Sequence, residues 1–171
     1  MMKNEKGFTL LEAMISIALM GLIAILTLGA FNAGTRAWDV NYTGLRLNKE
    51  VRTGIERMTR ELRNSDLSRI SIPQANTLQF QVPSAISANG AITWSGWWQY
   101  SLGGVNGQQV LRQDMSGGGG VTTTIANGVT ALQFVANANP STVTITMTAQ
   151  GTTQYGTVTS VANTGTVQFR N

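Results

Sequence analysis

Few residues in this chain could do chemistry, and the one most out of place is Glu12. The 171-residue sequence has no Cys and no His. Thiol nucleophiles, disulfides, imidazole bases and the commonest zinc ligands are therefore excluded together. Glu12 sits in the run GFTLLEAMISIALMGLIAILTLGAF, from Gly7 to Phe31, and is its only charged residue. A charged acid at the centre of a membrane helix costs on the order of 2.5–3.5 kcal/mol, and exposure to headgroups one turn inside the span reduces that cost. An ionisable group in such a span defaults to function, with a partner to be named. If the chain is cut after Gly7, the new α-amine on Phe8 lies within about one turn of Glu12. Amine and carboxylate attract strongly in low dielectric, provided good geometry offsets desolvation. Between neighbouring copies, such a pair would set an axial stagger of parallel helices. The plain alternative is a carboxylate at the interface.

The elements that must position Glu12 follow from composition. The roughly 24 residues from Phe8 to Phe31 would span about 36 Å as a helix, against a hydrocarbon core of about 30 Å. A conventional secretory signal has a shorter apolar region and a small-x-small cleavage site; the exit Leu28-Gly29-Ala30-Phe31-Asn32-Ala33-Gly34 offers no good one. Lys3 and Lys6 precede the span and Arg36, Arg46 and Lys49 follow it, so a positive-inside count alone does not orient it. The polar remainder is the easier part to export.

From Thr35 to Asp66, apolar residues recur at Trp38, Tyr42, Leu45, Val51, Ile55, Met58 and Leu62. Spacings of three and four predict one buried helix face. Arg52/Glu56, Glu56/Arg60 and Arg57/Glu61 are spaced for ion pairs of about 0.2–0.5 kcal/mol each. Gly34, Gly44 and Gly54 weaken this helix locally. Its bases interleave with acids, so the reading is a solvated face and no nucleic-acid surface is expected.

After Pro73 the period changes to two, which predicts strands. Leu78-Phe80-Val82 alternates with polar residues; Ile92–Leu102 and Gln108–Gln113 flank GGVNG as a hairpin. Val121–Ala126, Val129–Ala136, Thr142–Ala149, Val158–Val161 and Thr166–Phe169 complete the series. Beyond Arg69 the only charged residues are Arg112, Asp114 and Arg170.

The stretch KGFTLLEAMISIALMGLIAI resembles the signature of type IV pilin-like prepilins: a short basic leader ending in Gly7, then Phe8-Thr9-Leu10-Leu11-Glu12, then an apolar helix. The pieces ERMTRELRNS, WQYSL with QQVLRQ, NGVTALQFVA, VTITMTA and the terminal GTVQFRN resemble J-type minor pseudopilins and PilW-like minor pilins. The resemblance implies an α+β, pilin-like fold, with a long N-terminal helix packed on antiparallel β-sheets. Its parts would be a leader at 1–7, a membrane-spanning and filament-core helix at 8–31, an amphipathic continuation at 32–69 and a β-rich head at 70–171. It further implies that a membrane prepilin peptidase cuts between Gly7 and Phe8 and N-methylates Phe8. Glu12 then pairs with the N-terminal amine of an adjacent subunit. Many major pilins have a Pro in the apolar segment; here Gly21 and Gly29 stand instead, read either as a site of local unwinding in a filament or as close packing of helices.

Several features invite other readings. Ser116-Gly117-Gly118-Gly119-Gly120 lacks the Lys-Ser/Thr of a phosphate loop and reads as a hairpin tip. Trp94, Trp97 and Trp98 are candidate partner contacts, with core packing and cross-strand pairing as the commoner role. Asp114 is the only acid after Asp66; a calcium site usually needs more than one carboxylate, so no metal and no cofactor is expected. A Ser or Thr nucleophile would lack a His base, and no catalytic constellation is visible. The chain therefore reads as a non-enzymatic minor pilin-like subunit of a type II secretion pseudopilus or a type IV pilus. The resemblance places it in the inner membrane by a single pass, with its head in the periplasm. Expected partners are I- and K-type minor pseudopilins or equivalent minor pilins, the prepilin peptidase/N-methyltransferase and an inner-membrane assembly platform. The alternatives are a tip-displayed or anchored adhesin and a DNA-uptake minor pilin.

Overall fold

Leu10 to Leu62 forms one α-helix of 53 residues, α1. The computed structural model describes residues 9–117, 120–138 and 141–169. These residues fall into two compact units, one ending at Asn41 and the other beginning at Tyr42. No proline interrupts α1, and the helix runs through Gly21, Gly29 and Gly34, where an added Cβ would meet open space. It contains a segment long and apolar enough to cross a membrane, none of it buried. Its last turn tightens: the Asn64 N–H bonds the Glu61 carbonyl at 3.2 Å and the Ser65 N–H bonds that of Leu62 at 2.9 Å. The helix therefore stops earlier than the amphipathic segment read to residue 69. A 3₁₀ turn at Leu67–Arg69 follows, with the Asp66 side chain accepting from the Ser68 N–H.

The second unit is β-rich. A five-stranded antiparallel sheet has the order β1 (Ile70–Gln74), β2 (Thr77–Phe80), β5 (Trp98–Gly103), β6 (Gln109–Asp114), β7 (Thr122–Asn127). A three-stranded antiparallel sheet has the order β10 (Val158–Gln168), β9 (Thr142–Thr152), β8 (Val129–Asn137). A separate hairpin pairs β3 (Pro83–Ile86) with β4 (Ile92–Trp94). The GGVNG hairpin forms as read, between β5 and β6. The region read as one strand from Ile92 to Leu102 is two strands in different sheets. The two short C-terminal strands are instead one continuous β10 through Asn163-Thr164-Gly165, because every residue there has a partner on β9.

Alternation explains the core. Leu78 and Phe80 of β2, Tyr100 of β5 and Val110 of β6 are fully buried, as are Val143, Ile145, Met147 and Ala149 of β9. Phe80 and Tyr100 stack at 5.0 Å between ring centroids. Side chains such as these each contribute about 1.5–3 kcal/mol on burial.

The helix face that meets this core is Thr43, Leu47, Val51, Gly54, Ile55, Met58 and Leu62. The stripe read from the sequence is right from Val51 onward and wrong before it. Trp38, Tyr42 and Leu45 are 75%, 60% and 70% exposed. At 3.6 residues per turn, Tyr42 and Leu45 project from the side of α1 opposite Thr43, Leu47 and Val51. Gly54 permits the close approach: a Cβ there would lie 3.2 Å from the Ala126 Cβ and 3.3 Å from the Met147 Cε. Gly165 likewise leaves room on β10 for the Ile55 side chain. Arg52–Glu56 forms at 2.8 Å and Arg57–Glu61 at 3.5 Å. Glu56–Arg60 is not among the ion pairs of the described residues, and Glu56 is held by Arg52 instead.

Candidate functional site

Glu12 has partners within its own chain. Its Oε2 accepts from the Thr9 N–H and from the Thr9 hydroxyl, both at 3.1 Å. The Glu12 N–H returns a bond to Thr9 Oγ1 at 3.3 Å. This is a capping box: Thr9 precedes the first helical residue, Glu12 is the third position, and each satisfies donors that a helix N-terminus leaves open. The acid also favours the positive end of the helix dipole. Thr9-Leu10-Leu11-Glu12 is a T-x-x-E pattern, so the arrangement was legible in the sequence even though the reading above looked only for an amine. Gly7 and Phe8 themselves lie outside the described residues.

Beyond this turn the apolar span exposes mostly aliphatic side chains, and Ser16 and Thr27 turn their hydroxyls back to the Glu12 and Ile23 carbonyls. Leu10, Ile17, Met20 and Ile25 are 80%, 71%, 73% and 69% exposed. Residues 2–28 match the family model of the prokaryotic N-terminal methylation motif. The N-terminus is that of a type IV prepilin-like protein. No curated protein and no solved structure matched the chain. For a prepilin-like chain, the motif implies pilin-like subunits and a prepilin peptidase as general partners. Together with the apolar helix it is consistent with membrane anchoring. The α+β architecture, a long N-terminal helix packed on antiparallel sheets, is pilin-like as expected.

A second polar cluster holds the end of α1 to the five-stranded sheet, and the sequence reading missed it. Glu61 Oε2 accepts from the Tyr100 hydroxyl at 2.6 Å and from Arg112 Nε at 2.7 Å. Burial first, and then the bond to Glu61, push the Tyr100 hydroxyl far above its ordinary range, so it stays a donor. Arg112 also lies over the Trp98 ring, 3.5 Å from its centroid. Glu61, Asn64, Val82, Pro83 and Arg112 line an open groove of about 550 Å³. One signal was available: Arg112 is the lone cation between Arg69 and Arg170, and a half-buried charge on a strand requires a partner from elsewhere.

The three tryptophans are held differently. Trp98 is half-buried against the core beneath Arg112. Trp94 lies under Arg69, 5.4 Å from the guanidinium carbon to the ring centroid. Trp97 is the exposed one, at 38%. Asp114 is bound within its own loop: its Oδ1 accepts from the Ser116 N–H at 2.9 Å and from the Ser116 hydroxyl, which holds the carboxyl below its usual range. The stretch from Met115 to Val121 joins the paired strands β6 and β7, as a hairpin tip does; Gly118 and Gly119 lie outside the described residues. Trp98→Ala is expected to lower stability by about 1.5–3 kcal/mol, less than a fully buried Trp→Ala. Trp97→Ala should stay within about 0.5 kcal/mol of the parent. Urea unfolding of the full-length chain in detergent, followed by near-UV circular dichroism, separates the two.

Proposed function

We propose that this chain is a non-enzymatic structural subunit of a pilin-like filament, inserted in the membrane as a prepilin and assembled after processing. The observation that carries the reading is a coincidence of position. The methylation motif at residues 2–28 overlies the start of a helix whose apolar side chains are exposed among the described residues. In water that surface is unfavourable; in lipid, and then against neighbouring helices, it is satisfied. Glu12, held at the first turn, is the residue that pairs with the amine of the adjacent subunit. The head is exported and the span crosses the inner membrane once.

The resemblance of ERMTRELRNS and of the strand segments supports the finer assignment, a minor subunit of the J type or PilW type acting in priming or at the tip. I- and K-type subunits or their minor-pilin equivalents, and the assembly platform, are the corresponding partners. Secretion-channel genes beside this one favour the pseudopilus; retraction-motor genes favour the pilus.

Intact mass of the membrane-extracted protein tests the reading. The expected mass lacks Met1–Gly7 and carries about one added methyl group on Phe8. A protein that keeps Met1 in a host with working processing machinery overturns it. An adhesin reading rests on exposed Trp97, and requires that Trp97→Ala abolish ligand binding while the head stays folded. DNA uptake has less support, because Arg52, Arg57 and Arg112 are paired with carboxylates.

A further inference from the structure

Within the second unit, the end of α1 turns a face outward as well as one onto the sheets. Tyr42, Leu45, Lys49 and Arg60 lie on the side of the helix opposite Leu47, Val51 and Met58, and all four are exposed. Arg63 extends this face: it follows the last helical residue, its N–H still bonds the Thr59 carbonyl at 3.1 Å, and it too is exposed. Lys49, Arg60 and Arg63 have no ion pair among the described residues, whereas Arg52 and Glu56 between them neutralise each other. Arg60 and Arg63 line a shallow hollow of about 270 Å³ with Ile55, Glu56 and Thr59.

The carboxylates of the same unit are all engaged inside it. Glu56 is held by Arg52, and Glu61 by Arg57, Arg112 and Tyr100. Glu50 accepts from the Asn127 N–H at 3.4 Å, Asp66 from the Ser68 N–H at 2.8 Å and Asp114 from the Ser116 N–H at 2.9 Å. No other Asp or Glu occurs from Tyr42 to the end of the chain. The sequence pattern reads as a balanced, solvated face because acids interleave with bases. The fold removes that balance by turning Glu61 to the sheet and tying the other acids locally. A second copy cannot restore it, since it brings the same cations and no unclaimed side-chain carboxylate, and like charges would meet across the contact.

We propose that this face docks the helix of a different pilin-like subunit, one whose own exposed face bears Asp and Glu. The inference rests on the filament reading, which supplies the geometry: both chains enter one membrane, so the partner helix runs parallel to α1. Tyr42 and Leu45 give that helix apolar contact, and a Tyr is a frequent anchor of such contacts. Acids opposite Lys49 and opposite the Arg60–Arg63 pair set the register, because roughly 21 Å of helix separates residue 49 from residue 63. Charge complementarity of this kind selects the partner more than it tightens the contact. A nucleic acid would neutralise the cations but leave Tyr42 and Leu45 uncovered. Through this face the chain is a joint between unlike subunits, and it does not repeat against itself.

A photo-crosslinking phenylalanine analogue at Thr53 tests this in native membranes. Thr53 is exposed and lies one turn from both Lys49 and Glu56. Intact mass of the same sample shows whether Met1–Gly7 has been removed. The expected adduct is with another pilin-like chain, beside an Asp or Glu of its N-terminal helix, located by peptide mass spectrometry. Arg60→Glu/Arg63→Glu should cut the yield of that adduct at least tenfold, and exchanging the partner's acid for Lys should restore it. Arg60→Gln/Arg63→Gln replaces the reversal if circular dichroism shows that the reversal disturbs the fold. Three results overturn the proposal: a processed chain that gives no adduct, an adduct only with a second copy, lipid or nucleic acid, and a yield unmoved by a folded variant. A chain that keeps Met1 overturns the filament reading, and this inference with it.

Discussion

On the proposed pairing, Glu12→Ala is expected to leave membrane insertion and leader removal intact and to lower incorporation into filaments or tip complexes at least tenfold. The apolar span retains its length, and removing an acid from it eases insertion. The loss is expected to fall on assembly, where the proposed pairing has a carboxylate and an amine meet in low dielectric. A tenfold drop corresponds to about 1.4 kcal/mol, well below the 3–5 kcal/mol that stranding one partner of a buried ion pair can cost. The capping box supplies the control. Thr9→Ala removes the hydroxyl that bonds Glu12 in both directions, costs about 1 kcal/mol at the helix start and leaves the carboxylate in place. Incorporation of Thr9→Ala should therefore fall far less. Equal losses in the two variants, scored by co-purification with sheared filaments or tip complexes, would mean that capping accounts for the effect and that the pairing role fails.

Glu61→Ala should destabilise the head by about 2–4 kcal/mol. The substitution leaves the Tyr100 hydroxyl without its acceptor inside a fully buried residue, and strands Arg112, which is 19% exposed. Arg57, at 3.5 Å and half-exposed, adds less than about 1 kcal/mol. Glu61→Gln retains an oxygen for Tyr100 and should recover about half of the loss. Tyr100→Phe alone should cost about 1 kcal/mol. The double variant Glu61→Ala/Tyr100→Phe should fall short of the sum, because both changes remove one bond. Urea midpoints of the full-length chain measure all of these, and additive losses would show that the two groups act independently. The consequence lies in placement: this bond and the Arg112 pair fix the last turn of α1 on β5 and β6.

Local features were legible from the chain alone. The methylation motif and the apolar span depend on contiguous residues, and so does the Thr9–Glu12 box. The clean alternation of TVTITMTA marked β9 and its buried face, since Val143, Ile145 and Met147 are all fully buried. Where the reading failed, it failed on rotation and on partners. Trp38, Tyr42 and Leu45 keep helical spacing with Val51 and Met58 within the tolerance of a pattern. A helix offers several such stripes, and only the sheet beneath selects one. Asn163-Thr164-Gly165 looked like a break, yet β9 supplies a partner for each of these residues and Ile55 fills the space over Gly165.

By itself, then, the sequence determined the prepilin-like N-terminus, a long apolar helical segment and the α+β class, because these rest on periodicity and on contacts within a turn or a strand. Tertiary structure alone decided which face of α1 is buried and that Glu61 would be claimed by Tyr100 and Arg112. Those outcomes are set by contacts between residues tens of positions apart, and no local pattern carries the geometry that brings them together.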